Sequence, residues 1–308
     1  MNYTKAALTY EQQLELLESR GLLIPSRSEA LHWLELIGYY RLSAYFIPFK
    51  VHQENRFLPN MSFSMVIDLY QFDAKLRLLI MKSVDLIEIA ARAALTYQLA
   101  HTIGPFGYLQ ASSFSTLIPS PGAGFPAQGF DHKDFLARLQ KEISLSKEDF
   151  VAHYFKTYTS EPHMPIWMAT ELLTFGVVSK MVGEVPKSTR KQMARPYRIS
   201  QSQYVSWIRC LAYVRNVCAH HGRLWNRELS IKPELLKEWN VPDAEAGRLY
   251  SVCLVLFHLL GRIDPSFLWK EALEELIARH PTANLTAMRF PLDWQTQEPW
   301  QPAPRPTK

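Results

Sequence analysis

The run from Ser64 to about Ala100 contains neither glycine nor proline, and it constrains the fold more than any other feature of the chain. Its side chains follow helical steps that begin apolar and turn acidic towards the end. Two pairs, Asp73/Arg77 and Glu88/Arg92, have the i,i+4 spacing that stabilises a helix. We predict the longest helix of the protein in this run, and whether it is kinked or broken stays open.

Helical signals continue on both sides of this run. Three pairs have the spacing of a capping box, which marks a helix start: Thr9/Gln12, Ser26/Glu29 and Ser200/Gln203. Further helices are predicted at about 131–155, from Pro165 through Val178, at about 245–261 and at 266–279. The residues between 104 and 129 are predicted to form a long loop, and the tail from Pro291 is predicted to be extended or disordered.

These signals together predict an all-α protein built as a helical bundle. One body covers residues 9–287, with an N-terminal helical arm at about 9–60 and a core at about 61–287. A proline-rich tail follows at 288–308. A chain of 308 residues is long enough to bury a full core.

Composition limits the class of protein. A chain that is 47% hydrophobic and 20% charged is typical of a soluble globular protein, and its net charge of +5 gives a mild preference for anionic partners. Three cysteines are too few and too scattered for a disulfide framework or a Cys-rich zinc site. No secretory signal is visible at the start, and the most apolar run, Val252 to Leu260, is far too short to span a membrane. We expect a cytoplasmic protein that makes no membrane contact and needs no cofactor.

A polar motif closes the helix that the third capping box begins. Projected at about 100° per residue, the apolar residues of this helix fall in a narrow stripe, and a polar face lies opposite it. That polar face holds Arg209, Tyr213, Asn216 and His220. Arg215 lies between the two faces, and His221 projects beside the apolar stripe. We therefore expect His220 to point away from the core and His221 to be structural, although a helix end at Gly222 would re-aim both rings.

These residue types suit RNA cleavage without a metal ion. A histidine that titrates near neutral pH can remove the proton of a ribose 2′-OH, and a guanidinium can hold the phosphate oxygens while charge builds. One copy supplies one such histidine, so an acid and a base together suggest a dimer. The alternative is that Arg215 pairs with a carboxylate and both histidines are satisfied polar residues at a helix end. Spacing alone decides little, because Arg27 and His32 have the same separation.

Arg215-Asn216-x3-His220 resembles the Arg-x4-6-His signature of HEPN domains. The longer string from Arg215 to Arg227 is similar to Abi-like proteins of the AbiD/AbiF group, which are bacterial abortive-infection proteins that confer phage resistance. Other segments match that family in the same order over about residues 10–290, among them 13–22, 38–43, 72–77, 87–92, 165–167 and 171–179.

The resemblance implies an all-helical, HEPN-like core, dimerisation through the motif helix and metal-independent RNA cleavage. It implies that Arg215 and His220 are catalytic and that Asn216 supports them, with His221 the second choice for the histidine. Arg209 and Tyr213 are possible supporting residues on the same face. A toxin-like role would also involve an RNA or protein antitoxin, whose identity the sequence does not contain.

Other groups have two interpretations each. Glu88 and Arg92, together with His101, form either a second polar cluster or an internal ion pair that anchors the motif helix. The aromatic run that includes Tyr39, Tyr40, Arg41 and Tyr45 is either core or a base-stacking surface.

The basic run of Arg190, Lys191, Arg195 and Arg198 is either a solvated surface or one side of an RNA groove that Arg223 and Arg227 extend. His153 and His163 give only a weak metal hypothesis.

We therefore expect a metal-independent endoribonuclease that acts as a toxin-like phage-defence effector, with RNA as substrate and a homodimer as the active form. The alternative is a non-catalytic RNA-binding or protein-interaction module with the same fold. Such a module would retain RNA without turnover.

Overall fold

The computed structural model describes residue 2 and residues 6–114 and 130–301. Twelve α-helices form in these residues, and no β-sheet is found among them, so the predicted all-α fold is confirmed. The helices are α1 Tyr10–Ser19, α2 Arg27–Ile37, α3 Tyr39–Phe46, α4 Phe63–Ile103, α5 His132–Leu145, α6 Asp149–Thr157, α7 Ile166–Ala169, α8 Phe175–Glu184, α9 Lys187–Ala194, α10 Gln201–Ala219, α11 Leu249–Ile263 and α12 Trp269–Ala278.

The fold is organised around α4. This helix runs unbroken for 41 residues, which is a length of about 60 Å at 1.5 Å per residue. Ser62 caps its first turn by accepting a hydrogen bond from the N–H of Met65, and Gly104 follows its end with a φ of 76°. Helices α2, α3 and α7 to α12 all pack against it. The predicted long helix is confirmed, and it is continuous.

Two of the other predicted helices are each divided in the structure. The helix predicted at about 131–155 is interrupted at Ser146, whose backbone is extended and whose hydroxyl accepts a hydrogen bond from the N–H of Glu148 at 3.2 Å. The helix predicted from Pro165 ends after one turn of α7, because Leu173 is extended before α8 begins. At Ser146 the short polar side chain bonds to the local backbone and so competes with the helix.

The prediction of an extended or disordered tail is wrong as far as residue 301. Two short turns, Trp294–Thr296 and Glu298–Trp300, bury Trp294 and Trp300 completely. The Trp300 ring stacks on that of Trp269 in α12, and its N–H donates to the hydroxyl of Tyr250 in α11 at 3.3 Å. The two indoles hold the tail to the core despite its prolines. Residues 302–308, and residues 115–129 of the predicted long loop, lie outside the described residues.

Candidate functional site

The motif helix α10 is a core element with one open side. It begins at the predicted capping box of Ser200 and Gln203 and packs against α4, α8 and α9. Buried residues occupy about 220° of its circumference. The apolar stripe is therefore much wider than predicted, because helices contact α10 on several sides. Along the remaining arc lie Arg209, Tyr213, Asn216 and His220.

The open side agrees with the helical projection of the sequence. Arg209, Asn216 and His220 are exposed, and Tyr213 is half-buried. Asn216 and His220 are one turn apart, and the N–H of His220 donates to the carbonyl of Asn216 at 3.0 Å. Their side chains therefore project from the same side of the helix end.

The helix ends in a Schellman motif in which His221 takes the left-handed position. Its φ is 55°, its N–H donates to the carbonyl of Cys218 at 2.9 Å, and the N–H of Gly222 donates to the carbonyl of Val217 at 2.8 Å. The predicted place of His221 beside the core is wrong. Because α10 ends at Ala219, the helical projection does not extend to His221, and its side chain is exposed.

Gly222 is favoured by close contact rather than by backbone conformation. A Cβ atom at this position would lie 3.0 Å from Cγ1 and 3.1 Å from the carbonyl oxygen of Val217. The close return of the chain over the last helical turn keeps His220 and His221 next to each other at the surface. Both imidazoles are therefore open to a ligand from solvent.

Arg215 and Arg27, which has the same separation from a histidine, differ in the partners of their guanidinium groups. Arg27 is held by Glu18 at 2.8 Å and by Glu11 at 3.0 Å, so its charge is engaged between α1 and α2. Arg215 is half-buried and donates a long hydrogen bond, 3.4 Å, to Oδ1 of Asn216. In the described ranges no carboxylate lies within 4.0 Å of Arg215, so an ion pair does not occupy its guanidinium.

Asp73 of α4 fixes the segment that follows the motif. Its Oδ1 atom accepts the backbone N–H groups of Leu224 at 3.0 Å and of Trp225 at 2.6 Å. Its Oδ2 atom accepts from the hydroxyl of Tyr45 at 2.6 Å and pairs with Arg77. Burial raises the pKa of Asp73, and the hydrogen bond from Tyr45 and the charge of Arg77 oppose that rise. Four donors therefore converge on one buried carboxyl group.

Two arginines tie the same segment to α3. Arg41 donates to the carbonyl of His221 at 2.9 Å, and Arg223 donates to the carbonyl of Ala44 at 2.9 Å. Arg227 lies 3.5 Å from the carbonyl of Arg223. The predicted RNA-binding residues Arg223 and Arg227 therefore have structural contacts, and each guanidinium retains further N–H donors, since it carries five.

Tyr213 is the open-face residue that Arg227 reaches. The Nη2 atom of Arg227 lies 3.4 Å from the Tyr213 hydroxyl. Burial raises the pKa of Tyr213, but hydrogen bonds involving Ser230 and Arg227 outweigh it, and the net direction is downward. The supporting role predicted for Tyr213 remains a prediction.

Arg198 is not part of this group. It lies just before the start of α10, exposed and with a left-handed φ of 55°, whereas the motif is at the opposite end of the helix. The 19 residues of α10 separate the two ends by about 27 Å. The structure does not bring Arg198 together with Arg223 and Arg227, so one continuous groove would have to extend along the whole helix.

The second polar cluster is an internal anchor. Arg92 pairs with Glu88 at 2.6 Å and also donates to the carbonyl of Thr170, in the turn after α7. The predicted ion pair forms, but the contact that Arg92 makes outside α4 is with Thr170 and not with the motif helix, so its predicted anchoring of that helix stays a prediction. His101 does not join this pair and instead bonds to the carbonyl of Tyr97 and packs at a tilt against its ring.

Metal and thiol chemistry find no support at this end of α10. Within the part of the chain that the structure describes, no group of three or more His, Cys, Asp or Glu side chains is placed to hold a metal ion. This includes the region of His153 and His163. Burial raises the pKa of Cys218, the thiol within the motif, to about 12, so this group stays a neutral thiol at neutral pH.

The long-range contacts that hold the segment after the motif were not predicted from the sequence. Asp73/Arg77 was predicted only as a helix-stabilising pair, yet its carboxylate reaches residues that are 151 and 152 positions away. An acid and a base among the apolar residues Phe72 and Leu76 were the available signal. Buried charges require partners, so a distant donor set is expected at such a pair.

No helix in the described residues has both the length and the apolar character needed to cross a membrane.

Neither a comparison with curated proteins nor one with solved structures gives a match. The family model described as "Abi-like protein" matches residues 32–226. That match extends from α2 to Asn226, and so includes Arg41, Asp73 and the whole motif. Because it covers more than half of the chain, this protein belongs to the Abi-like family.

Proposed function

We propose that this protein is a metal-independent endoribonuclease of the HEPN type and acts as a toxin-like effector. His220 is the general acid/base, Arg215 stabilises the phosphate and Asn216 orients either the ring or the substrate. Membership of the Abi-like family suggests a role in abortive-infection defence against phage. The observation that carries the proposal is the open end of α10, where Asn216 and His220 are exposed on a helix whose other sides are largely buried.

The chemistry needs only groups that lie at this end of the helix. His220 removes the proton of a ribose 2′-OH while that oxygen bonds to the adjacent phosphorus. The bond from phosphorus to the 5′ oxygen of the next nucleotide breaks, and a second imidazolium protonates the leaving oxygen. The products are a 2′,3′-cyclic phosphate and a 5′-hydroxyl end. Arg215, which has no carboxylate partner among the described residues, can offer two N–H groups to the charged phosphorane.

The test is RNA cleavage by purified protein in EDTA, with single-stranded and structured RNA as substrates. We expect Arg215→Ala and His220→Ala to lose activity by at least about 100-fold, the order of general acid–base contributions. Arg27→Ala and His32→Ala are matched controls with the same spacing, and they should cleave as the wild type does. If cleavage persists unchanged in both motif variants, the proposal is wrong. RNA binding without turnover by the wild type would instead favour the non-catalytic module.

We further propose that the active form is a homodimer joined at the open side of α10. One copy offers His220 as one acid/base group, and the second proton transfer falls to His220 of the partner subunit. Light scattering combined with cleavage assays tests this arrangement. An active enzyme that is strictly monomeric at the assay concentration would contradict it. A mixed dimer of wild-type and His220→Ala protomers holds one His220, so it should lose activity as the His220→Ala homodimer does.

The defence role is tested in cells. Expression of the wild type should slow growth, and a phage challenge should yield fewer plaques than in cells that carry the His220→Ala variant. Equal protein levels, measured by immunoblot, are the control for folding. If wild-type and variant cells show the same growth and the same plaque counts, the effector role is wrong even if the protein cleaves RNA in solution.

A further inference from the structure

Tyr40 has an unusual exposure for an aromatic side chain, being 92% exposed. It lies in the first turn of α3, whose opposite side buries Leu42, Tyr45 and Phe46. Its ring forms no aromatic pair with any other ring in the described ranges. A single exposed apolar group is ordinary on a protein surface, so exposure alone would carry no conclusion. The position of this ring is what gives it meaning.

Two hydrogen bonds join α3, the helix that carries Tyr40, to the motif and to the segment after it. Arg41, the next residue, donates to the carbonyl of His221 at 2.9 Å. The carbonyl of Ala44, one turn after Tyr40, accepts from Arg223 at 2.9 Å. Consecutive Cα atoms are about 3.8 Å apart, so the side chain of Tyr40 begins beside an arginine that touches the motif.

The charges around this ring select the occupant. Arg41, Arg215, Arg223 and Arg227 all lie at this end of the molecule, and none has a carboxylate within 4.0 Å in the part of the chain that the structure describes. Surfaces that bind single-stranded nucleic acid combine unpaired cations along the backbone path with aromatic rings on which bases stack. An RNA backbone would neutralise these charges, which favours RNA as the occupant of this surface.

We infer that Tyr40 is a base-stacking subsite for single-stranded RNA, placed beside the phosphate-binding end of the motif, with Arg41 holding it there. The base that stacks on Tyr40 belongs to the same RNA strand as the phosphate that contacts Arg215. The inference rests on the proposed function in taking RNA as the ligand. It adds a part of the substrate site that is contributed by the N-terminal arm rather than by α10.

Binding to the cleavage-deficient, full-length His220→Ala protein tests the subsite directly. The probe is a short fluorescein-labelled oligouridine, followed by anisotropy. We expect the further change Tyr40→Ala to weaken binding about tenfold, as for the loss of one base–aromatic stack, and Tyr40→Phe to stay within about twofold. Tyr97→Ala is the matched control, since Tyr97 is an exposed tyrosine on α4, about 36 Å along the helix from Asp73.

A second probe separates stacking from a structural effect. Oligo-dihydrouridine has the same backbone and non-aromatic bases, so it should bind about tenfold more weakly than oligouridine when Tyr40 is present. The two probes should bind equally in the Tyr40→Ala background. Equal loss for both probes would overturn the inference, as would unchanged binding or the absence of RNA binding altogether.

The remaining outcomes keep this inference distinct from the proposed function. A fall in molecular mass for Tyr40→Ala in light scattering, without a change in RNA affinity per protomer, would assign the ring to a protein contact and overturn the subsite. If His220→Ala cleaves as the wild type does, the proposed function fails, while the two-probe comparison still decides the role of Tyr40. Loss of cleavage in His220→Ala with no Tyr40 effect would leave the enzyme and remove the subsite.

Discussion

The buried carboxyl group of Asp73 gives the sharpest prediction for stability. Replacement by alanine removes the acceptor for two backbone N–H groups, for the Tyr45 hydroxyl and for the Arg77 guanidinium. Breaking a buried ion pair by removing one partner costs about 3–5 kcal/mol, and each buried donor left unpaired adds about 1–3 kcal/mol before relaxation. These costs amount to about 6–14 kcal/mol before relaxation, so we expect Asp73→Ala to lower the free energy of unfolding by at least about 4 kcal/mol once the neighbouring groups relax.

Urea denaturation followed by tryptophan fluorescence measures this loss. It is a large part of the 5–15 kcal/mol that is typical of a folded domain, so the midpoint should fall by more than 1 M for an m value of about 3 kcal/mol/M. Asp85→Ala is the control, because Asp85 is exposed on the same helix and its replacement should change stability by less than about 0.5 kcal/mol. Addition of Arg77→Met to Asp73→Ala should recover part of the loss, since no unpaired guanidinium then remains buried.

A second substitution at the same residue, Asp73→Asn, tests whether Asp73 positions the motif. Asparagine keeps the shape of the side chain and one acceptor oxygen, so the protein should fold and yet hold Leu224 and Trp225 less firmly. If Asp73→Ala unfolds within 1 kcal/mol of the wild type, the four donors find other partners and the anchoring role is wrong. A folded Asp73→Asn protein with wild-type cleavage would show that the segment after the motif needs no such anchor.

Three further changes test other parts of the structure. Burial lowers the pKa of His258 to about 4 from an ordinary 6.5, so the unfolded state binds the proton first. The free energy of unfolding should therefore fall by about 2 kcal/mol from pH 7 to pH 5. If urea titration of His258→Gln shows an equal fall, His258 is not its cause. His221→Gly should raise the melting temperature by about 2 °C, because a left-handed backbone costs a histidine about 1 kcal/mol; an unchanged or lower value in calorimetry would contradict this. Trp300→Ala should cost about 3–5 kcal/mol in the same urea assay, and a loss below 1 kcal/mol would mean that the tail is not part of the core.

Local signals in the sequence predicted local structure well. The capping boxes at Thr9 and Ser200 and the long helix α4 formed as expected, because each depends on residues within one or two helical turns. The polar face of α10 was predicted for the same reason. On α4 an apolar side chain does not have to face the core, since Leu78 is 70% exposed. A helix that contacts eight others has apolar residues on most sides, so no single stripe identifies its buried face.

The contacts that complete the candidate site were beyond reach of the sequence. Arg41 and His221 are 180 positions apart, and no periodicity connects them. His221 was misplaced for a related reason, since the exact helix end depends on how tightly Gly222 packs over Val217. The tail was misjudged because its prolines outweighed its tryptophans in the prediction, whereas indole burial decides the energy.

The long-range contacts that hold the motif in place have a consequence for protein synthesis. Its surroundings are drawn from Arg41 in α3, Asp73 in α4 and the segment up to Trp225, so no short nascent chain contains all of them. The ribosome must release most of the chain before α3 and α4 can close over the end of α10. A growing polypeptide therefore carries the motif in an unassembled form until translation is well advanced. If the proposed activity is correct, a chain that ends before Trp225 is not an active enzyme.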